Sequence, residues 1–267
     1  MNVTIPEFEK EIETALELMS QAGEIFLDNY NNPQGIKLKP DRSLVTGIDV
    51  EVSKLIFSEL GRKFPSYGIL DEEHGGKKLG RRRIFLVDPL DNTRGYVEKT
   101  GDFGIMIGLL DSREPVLGIT YNPQKNEFAY AARGSGAFLL QGEKITKLKA
   151  SDSNAVHVLV SSFRSSEELE AMLKKIKPDS IKYMGGSLKT VEVAKGNATL
   201  FLCPKSSSMS SWDICAPSVI LEEANGRMTD LYGNRFTFQN LEDNKNYNGV
   251  VATNRRIHNM VLERISH

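Results

Sequence analysis

A short apolar run, Ile84-Phe85-Leu86-Val87, ends directly in Asp88-Pro89-Leu90-Asp91-Asn92-Thr93. Four apolar residues in a row read as a buried strand. A carboxylate at the end of such a strand is costly unless something positive meets it. Pro89 fixes its own backbone and holds Asp88 extended. The expectation is one tight turn that aims Asp88 and Asp91 together, with the Leu90 carbonyl between them. Three oxygens from one turn suit a hard cation. Asn92 and Thr93 would then open a helix, whose unpaired N–H groups can take an anion such as phosphate. The fold must bury the strand behind this hexapeptide and leave its end facing a ligand.

Two more acidic clusters sit at the ends of apolar elements. Asp71-Glu72-Glu73 follows Tyr67-Gly68-Ile69-Leu70, and Trp212-Asp213 begins an apolar helix. Taken singly, each cluster has a bland reading. Asp-Pro-x-Asp is a surface turn with a capping aspartate, Glu72-Glu73 a solvated loop, and Asp213 an N-cap beside a packing tryptophan. Their combination outweighs these readings.

Around these clusters the chain reads as alternating layers. Phe8, Ile12, Leu16, Met19, Ile25 and Phe26 mark a helix from 6 to about 30, with Pro6 in its first turn. Asn31-Asn32-Pro33 and Gly35 end it. Ile36 to Lys39 alternates like an edge strand. A second helix spans 49 to 64, with Asp49 where a cap would sit. Ile105 to Leu110, Val116 to Tyr121, Phe128 to Ala132 and Ala137 to Leu140 predict an antiparallel meander. Beyond it, strands at 156 to 160 and 200 to 202 alternate with helices near 167 to 175, 187 to 195 and 213 to 224, and Gly226 is expected to stop the last of these. A strand at 250 to 252 and a helix from Arg256 close the chain. This is a layered α/β pattern. With 267 residues the chain has room for two subdomains. The loose segment Ala150 to Asn154 divides it into 1–152, an α+β part with most of the acidic ligands, and 153–267, an α/β part holding Asp213.

Charge narrows the partners. Lysine and arginine total 34 against 35 for aspartate and glutamate, a formal charge of −1. That excludes a partner found by bulk positive charge, such as a nucleic-acid polymer. No run approaches ~18 uninterrupted apolar residues, so no membrane span is expected. The N-terminus has neither a basic nor an apolar leader region, which places the protein in the cytoplasm. Cys203 and Cys215 lack Cys-x-x-Cys spacing or a nearby His pair and read as small core residues.

The set Val45-Thr46-Gly47-Ile48-Asp49, Glu72-Glu73, Asp88 to Thr93, Gly185-Gly186-Ser187-Leu188-Lys189 and Trp212-Asp213-Ile214-Cys215-Ala216 resembles the inositol monophosphatase-like family of metal-dependent, lithium-sensitive phosphatases. The resemblance runs from about residue 10 to about residue 255. Within the family the chain looks most like the 3'(2'),5'-bisphosphate nucleotidases. Lys39-Pro40-Asp41-Arg42-Ser43-Leu44-Val45-Thr46, Gly101-Asp102-Phe103, Ser161-Ser162-Phe163-Arg164 and Val193-Ala194-Lys195-Gly196 carry that finer likeness.

The resemblance implies a layered α-β-α-β-α sandwich with the site between the halves. It implies that Glu72, Asp88 and the Leu90 carbonyl bind one Mg²⁺, and that Asp88, Asp91 and Asp213 bind a second. A weaker third site would lie near Glu72. Asp49 and Thr93 would orient and deprotonate the attacking water, with Glu72 in the same catalytic set. Asn92, Thr93, Arg164, Gly186, Ser187 and Lys189 would hold substrate, Lys189 and Arg164 as counter-charges for a second phosphate. Asn92 departs from the family's usual glycine; asparagine keeps the backbone N–H and tolerates unusual backbone angles. His74 lies near the acidic loop without an assigned role. The implied reaction removes the 3'-phosphate from 3'-phosphoadenosine 5'-phosphate, giving AMP and phosphate. The alternatives are the same machinery acting on inositol 1-phosphate or another sugar phosphate, and a non-catalytic metal- or phosphate-binding regulator. Lithium sensitivity and a homodimer are implied as well.

Overall fold

The computed structural model describes residues 5–40, 43–163, 165–207, 209–243, 245–246 and 248–266. A 3-10 turn, Pro6–Phe8, leads into α1 (Glu9–Asn29), whose Ile12, Leu16, Met19 and Phe26 are buried as the spacing predicts. A small hairpin follows, β1 (Lys37–Leu38) with β2 (Leu44–Val45). Helix α2 (Gly47–Lys63) starts two residues before the expected Asp49. The reason is local: Thr46 is the N-cap, and Asp49 is the third helical residue closing a capping box back onto it.

Then come β3 (Gly68–Asp71), β4 (Gly75–Lys77), β5 (Arg83–Asp91), the short α3 (Thr93–Val97), and β6 (Gly104–Asp111), β7 (Glu114–Asn122), β8 (Glu127–Ala132), β9 (Gly136–Gln141) and β10 (Lys144–Lys147). They form an eight-stranded sheet ordered β10-β9-β8-β7-β6-β5-β3-β4. From β5 through β10 each strand pairs antiparallel with the next, which is the predicted four-stranded meander extended by β5 at one end and the fully exposed edge strand β10 at the other. Among the described strands of this sheet, β3 and β5 alone pair parallel.

The rest of the chain supplies β11 (His157–Ser161), α4 (Glu167–Ile176), β12 (Ser180–Met184), α5 (Lys189–Ala194), β13 (Leu200–Cys203), β14 (Met209–Ser210), α6 (Ser211–Glu223), β15 (Arg227–Thr229), β16 (Lys245–Asn246), β17 (Val250–Thr253) and α7 (His258–Ser266). A five-stranded sheet takes the order β12-β11-β13-β17-β15, and β14 pairs with β16. Helix α6 ends within one residue of the expected 224: Ala224 is its C-cap, Asn225 takes the left-handed conformation (φ 66°), and the Gly226 N–H closes the end on the Leu221 carbonyl at 2.8 Å.

The layers are α1 and α2, the eight-stranded sheet, α5 and α6, the five-stranded sheet, then α4 and α7. This is the α-β-α-β-α sandwich implied by the sequence. The middle core draws on both halves: Leu70, Ile84, Leu86 and Ala129 pack in one cluster with Leu159, Phe201, Cys215 and Ile220. Both cysteines are buried and neither forms a disulfide. Helix α6 lies directly on the first sheet at Gly118, where a Cβ would strike the Ala216 carbonyl oxygen. Among the described residues no helix is long and apolar enough to cross a membrane.

Candidate active site

The acidic hexapeptide is not the tight turn read from the sequence. Strand β5 runs through it, with Asp88 opposite Met106 and Asp91 opposite Gly104. Three steps on β5 match two on β6, so one extra residue is accommodated as a bulge at Pro89-Leu90. Pro89 has no N–H to give the ladder, which makes this the natural place for it. The bulge has a chemical consequence. Residues three apart on a regular strand face opposite ways. The extra residue restores the parity, so Asp91 joins Ile84, Leu86 and Asp88 on the side facing α6, while Phe85, Val87 and Leu90 pack towards α1 and α2. The Leu90 N–H donates to Asp88 Oδ1 at 3.0 Å and fixes the kink.

Asp213 arrives from the opposite wall as the third residue of α6. It closes a capping box on Ser210, whose N–H donates to Asp213 Oδ2 at 2.6 Å. Asp88, Asp91 and Asp213 each offer an oxygen, all within 4.8 Å of one another. Burial, then the charges of Glu72, Asp91 and Asp213, hold the Asp88 carboxyl well above the usual carboxylate range. Burial also raises Asp91, against the opposing pull of Lys189 and the Ser187 N–H. Buried, all-oxygen and mutually repelling, this set fits a hard divalent cation such as Mg²⁺.

Glu72 stands apart from that group. It is half-buried, and its Oε1 takes the Lys39 ammonium at 2.7 Å; Glu73 takes the same ammonium. Burial raises the Glu72 carboxyl and Lys39 opposes it. The loop is held from below by Asp71, which is fully buried. Ser53 Oγ donates to Asp71 Oδ1 at 2.6 Å, the N–H groups of Glu73 and His74 donate to the same oxygen, and His74 Nδ1 lies 2.7 Å from Ser53 Oγ. His74 thus braces the acidic loop from its exposed side, stacked on Phe57.

Asp49 lies 1% exposed. Thr46 Oγ1 donates to its Oδ1 at 2.6 Å, and Thr93 Oγ1 is 3.3 Å from its Oδ2 and 3.3 Å from the Leu90 carbonyl. Burial pushes the Asp49 carboxyl up to about 6, partly offset by the Thr46 hydrogen bonds. A carboxyl there can hold or release a proton near neutral pH. Asn92 does adopt an unusual backbone angle, φ 64°, as the N-cap of α3. Its Oδ1 accepts from the Gly95 N–H at 3.2 Å and its Nδ2 donates to the Asp102 carbonyl.

The Gly185-Gly186 turn packs against this loop. A Cβ on Gly185 would strike the Asn92 amide, and one on Gly186 would strike Asp91 Oδ2. Gly186 is left-handed (φ 67°), so α5 begins at Lys189 rather than at the expected Ser187. Ser187, expected to bind substrate, is brought to the carboxylates: its N–H donates to Asp91 Oδ2 at 2.6 Å and its hydroxyl lies 3.5 Å from Asp213 Oδ1. Lys189, expected as a counter-charge for substrate, is 3% exposed here, and its ammonium sits on the Met184 and Gly186 carbonyls. Arg164, assigned the same role, lies outside the described residues, as do Asp41 and Arg42. Sequence reasoning missed Lys39, Ser53 and the two caps, Thr46 and Ser210. The caps carried a signal, Thr46-x-x-Asp49 and Ser210-x-x-Asp213, a capping-box spacing with aspartate in the acidic place.

Known proteins resemble this chain along nearly its whole length. The pattern of the inositol monophosphatase family matches residues 7–267. A 3'(2'),5'-bisphosphate nucleotidase CysQ from Aggregatibacter actinomycetemcomitans is 29% identical, covering 90% of this chain and 92% of its own. An inositol-1-monophosphatase from Bacillus subtilis is 27% identical, covering 96% of both chains. Among solved structures, an inositol monophosphatase from Thermotoga maritima superposes with a TM-score of 0.82 at 23% identity, covering 96% of this chain and 97% of its own.

Proposed function

The chain belongs to the inositol monophosphatase family, and from that premise we propose that it is a Mg²⁺-dependent phosphomonoesterase acting on 3'-phosphoadenosine 5'-phosphate. The products are AMP and inorganic phosphate. The observation that carries the phosphomonoesterase reading is the group of Asp88, Asp91 and Asp213 oxygens within 4.8 Å of one another. Asp88, Asp91, Asp213, the Leu90 carbonyl and Glu72 would hold two Mg²⁺ ions, with a weaker third place near Glu72. When bound, Mg²⁺ supplies positive charge against the transferred phosphoryl group and lowers the pKa of water.

The remaining roles belong to the chain itself. The Thr93 hydroxyl takes a proton from the attacking water while giving its own to Asp49 Oδ2 at 3.3 Å. The Thr46 hydrogen bonds keep Asp49 in one orientation while that proton is taken up. Backbone N–H groups at Asn92 and Thr93 meet the phosphate, and Gly186 lets its turn pack directly against Asp91. The protein works in the cytoplasm, as a homodimer, and is inhibited by lithium.

The nucleotide reading is supported by the bisphosphate-nucleotidase relative at 29% identity. A second reading, inositol 1-phosphate as substrate, is favoured by the inositol-1-monophosphatase relative and by the inward-turned Lys189, which removes one cation from the substrate side. Initial rates of phosphate release on both compounds decide between them. We expect kcat/KM to be at least about tenfold higher on 3'-phosphoadenosine 5'-phosphate. The reverse ratio refutes the nucleotide reading. Absence of Mg²⁺-dependent release from any phosphomonoester refutes the class.

A further inference from the structure

We infer that Lys189 is a positioning residue: from beneath the Met184–Ser187 turn its ammonium holds the hydrogen-bond donors that set Asp91 and Asp213 at their working separation. The inference rests on the metal-dependent phosphatase reading of that site.

A buried ammonium is costly unless it is well met. Lys189 is 3% exposed at the start of α5. Its Nζ donates to the Met184 carbonyl at 3.2 Å and to the Gly186 carbonyl, and it lies 4.9 Å from the centre of the Phe201 ring. Cations favour the face of an aromatic ring. Both carbonyls belong to one turn. Gly186, in that turn, has no space for a side chain, because a Cβ would meet Asp91 Oδ2 and lie 3.0 Å from Asn92 Cβ. The next N–H, that of Ser187, is the one that donates to Asp91 at 2.6 Å. The Ser187 hydroxyl then reaches towards Asp213 at 3.5 Å. The chain of contacts runs from ammonium to turn carbonyls, to Ser187, to two carboxylates drawn from opposite halves of the molecule.

A counter-charge and a positioning group predict different kinetics. A counter-charge for a second phosphate affects only substrates that carry one, and its loss raises KM. A group that sets the ligands affects every substrate alike, through kcat and metal affinity. Outer partners of metal ligands are worth about 10–100-fold in affinity or activity.

The experiment compares wild type, Lys189→Met and Lys189→Gln. Substrates are 3'-phosphoadenosine 5'-phosphate and p-nitrophenyl phosphate, which has no second phosphate. Mg²⁺ binding to the substrate-free protein is measured by titration calorimetry, and folding by melting temperature. We expect Lys189→Met to lower kcat by roughly tenfold or more on both substrates, to weaken Mg²⁺ binding by a similar factor, and to leave both KM values within about twofold. Lys189→Gln is neutral but can still donate to the two carbonyls, so it should recover most of both losses. A KM increase confined to the bisphosphate, with Gln as poor as Met and Mg²⁺ binding unchanged, overturns the proposal. If Lys189→Met does not fold, Lys189→Gln decides alone. Near-wild-type Mg²⁺ affinity and equal behaviour on both substrates support positioning, and a loss on the bisphosphate only refutes it. Should wild type release phosphate from no ester, the phosphatase reading fails, and calorimetry on the same variants still judges the positioning role.

Discussion

Asp49 and Asp213 enter the site from opposite halves of the molecule by the same local device. Each is the third residue of a helix and closes a capping box, Asp49 on Thr46 and Asp213 on Ser210. Their surroundings then diverge. Asp49 is almost wholly buried, with both oxygens engaged by Thr46 and Thr93. Asp213 is half-buried, and one of its oxygens falls in the group with Asp88 and Asp91. A capping box fixes where a carboxylate stands; what surrounds its oxygens decides whether it handles a proton or a cation. The helices sit accordingly, α2 in the outer layer and α6 in the middle one, where the two sheets face each other.

That contrast is testable, and the largest effect should come from the cation side. Asp213→Asn is expected to lower kcat by about 10³-fold or more and to weaken Mg²⁺ binding, since several kcal/mol of charge stabilisation are at stake. Steady-state kinetics with calorimetry on the substrate-free protein read both. Asp49→Asn should lower kcat by about 10²-fold, within the usual reach of general base catalysis, while Mg²⁺ affinity stays near wild type. If the two variants lose metal equally, the division of labour is wrong.

Removing the caps gives smaller effects. Thr46→Ala and Ser210→Ala should each cost about 1 kcal/mol, seen as a lower melting temperature. Only Ser210→Ala should also raise the Mg²⁺ concentration at half-maximal rate. A metal effect from Thr46→Ala would erase the distinction.

The last prediction separates site chemistry from fold stability. His258 is buried between Thr229 and Thr253, its ring nitrogens 3.0 and 2.9 Å from their hydroxyls. Burial, then Arg227 and Arg255, hold its pKa down to about 4, against 6.5 when exposed. The unfolded chain therefore binds the extra proton first as pH falls. This stabilisation is complete above pH 6.5 and is lost as pH falls towards 4. Melting temperature should drop across that window in wild type, and less steeply in His258→Gln. An unchanged slope would place the acid sensitivity elsewhere.

Much of the site was legible in the sequence, because Asp88-Pro89-Leu90-Asp91 joins a chemical demand to a backbone constraint. Its geometry was only half legible. A proline before an aspartate suggests a turn, whereas the ladder contributed by β6 makes it a bulge inside a strand. Asp49 read as a cap because the Thr46 hydroxyl three residues earlier went unweighed. Asn92 read correctly as tolerant of a left-handed backbone, since that is a property of the residue itself. The direction of Lys189 was not legible: a helix of six residues is too short to give a periodicity that says which way a lysine turns. The grip of Lys39 on Glu72 spans 33 positions and depends on the fold being present. The exposed edge strand β10 and the three-residue β15 carry too little apolar pattern to announce themselves.

The close seating of α6 on Gly118 also bears on how the chain is made. A ribosome finishes the eight-stranded sheet at Lys147, but the helix that covers its inner face begins only at Ser211. In between, Leu86, Leu110, Ala129 and Ala131 lack most of the cover they have in the finished fold. The growing chain must shield this face for the time taken to add some sixty residues, at about 5–20 per second. A product truncated in the 150–154 linker would keep the face bare for good, and it should precipitate rather than survive as half an enzyme.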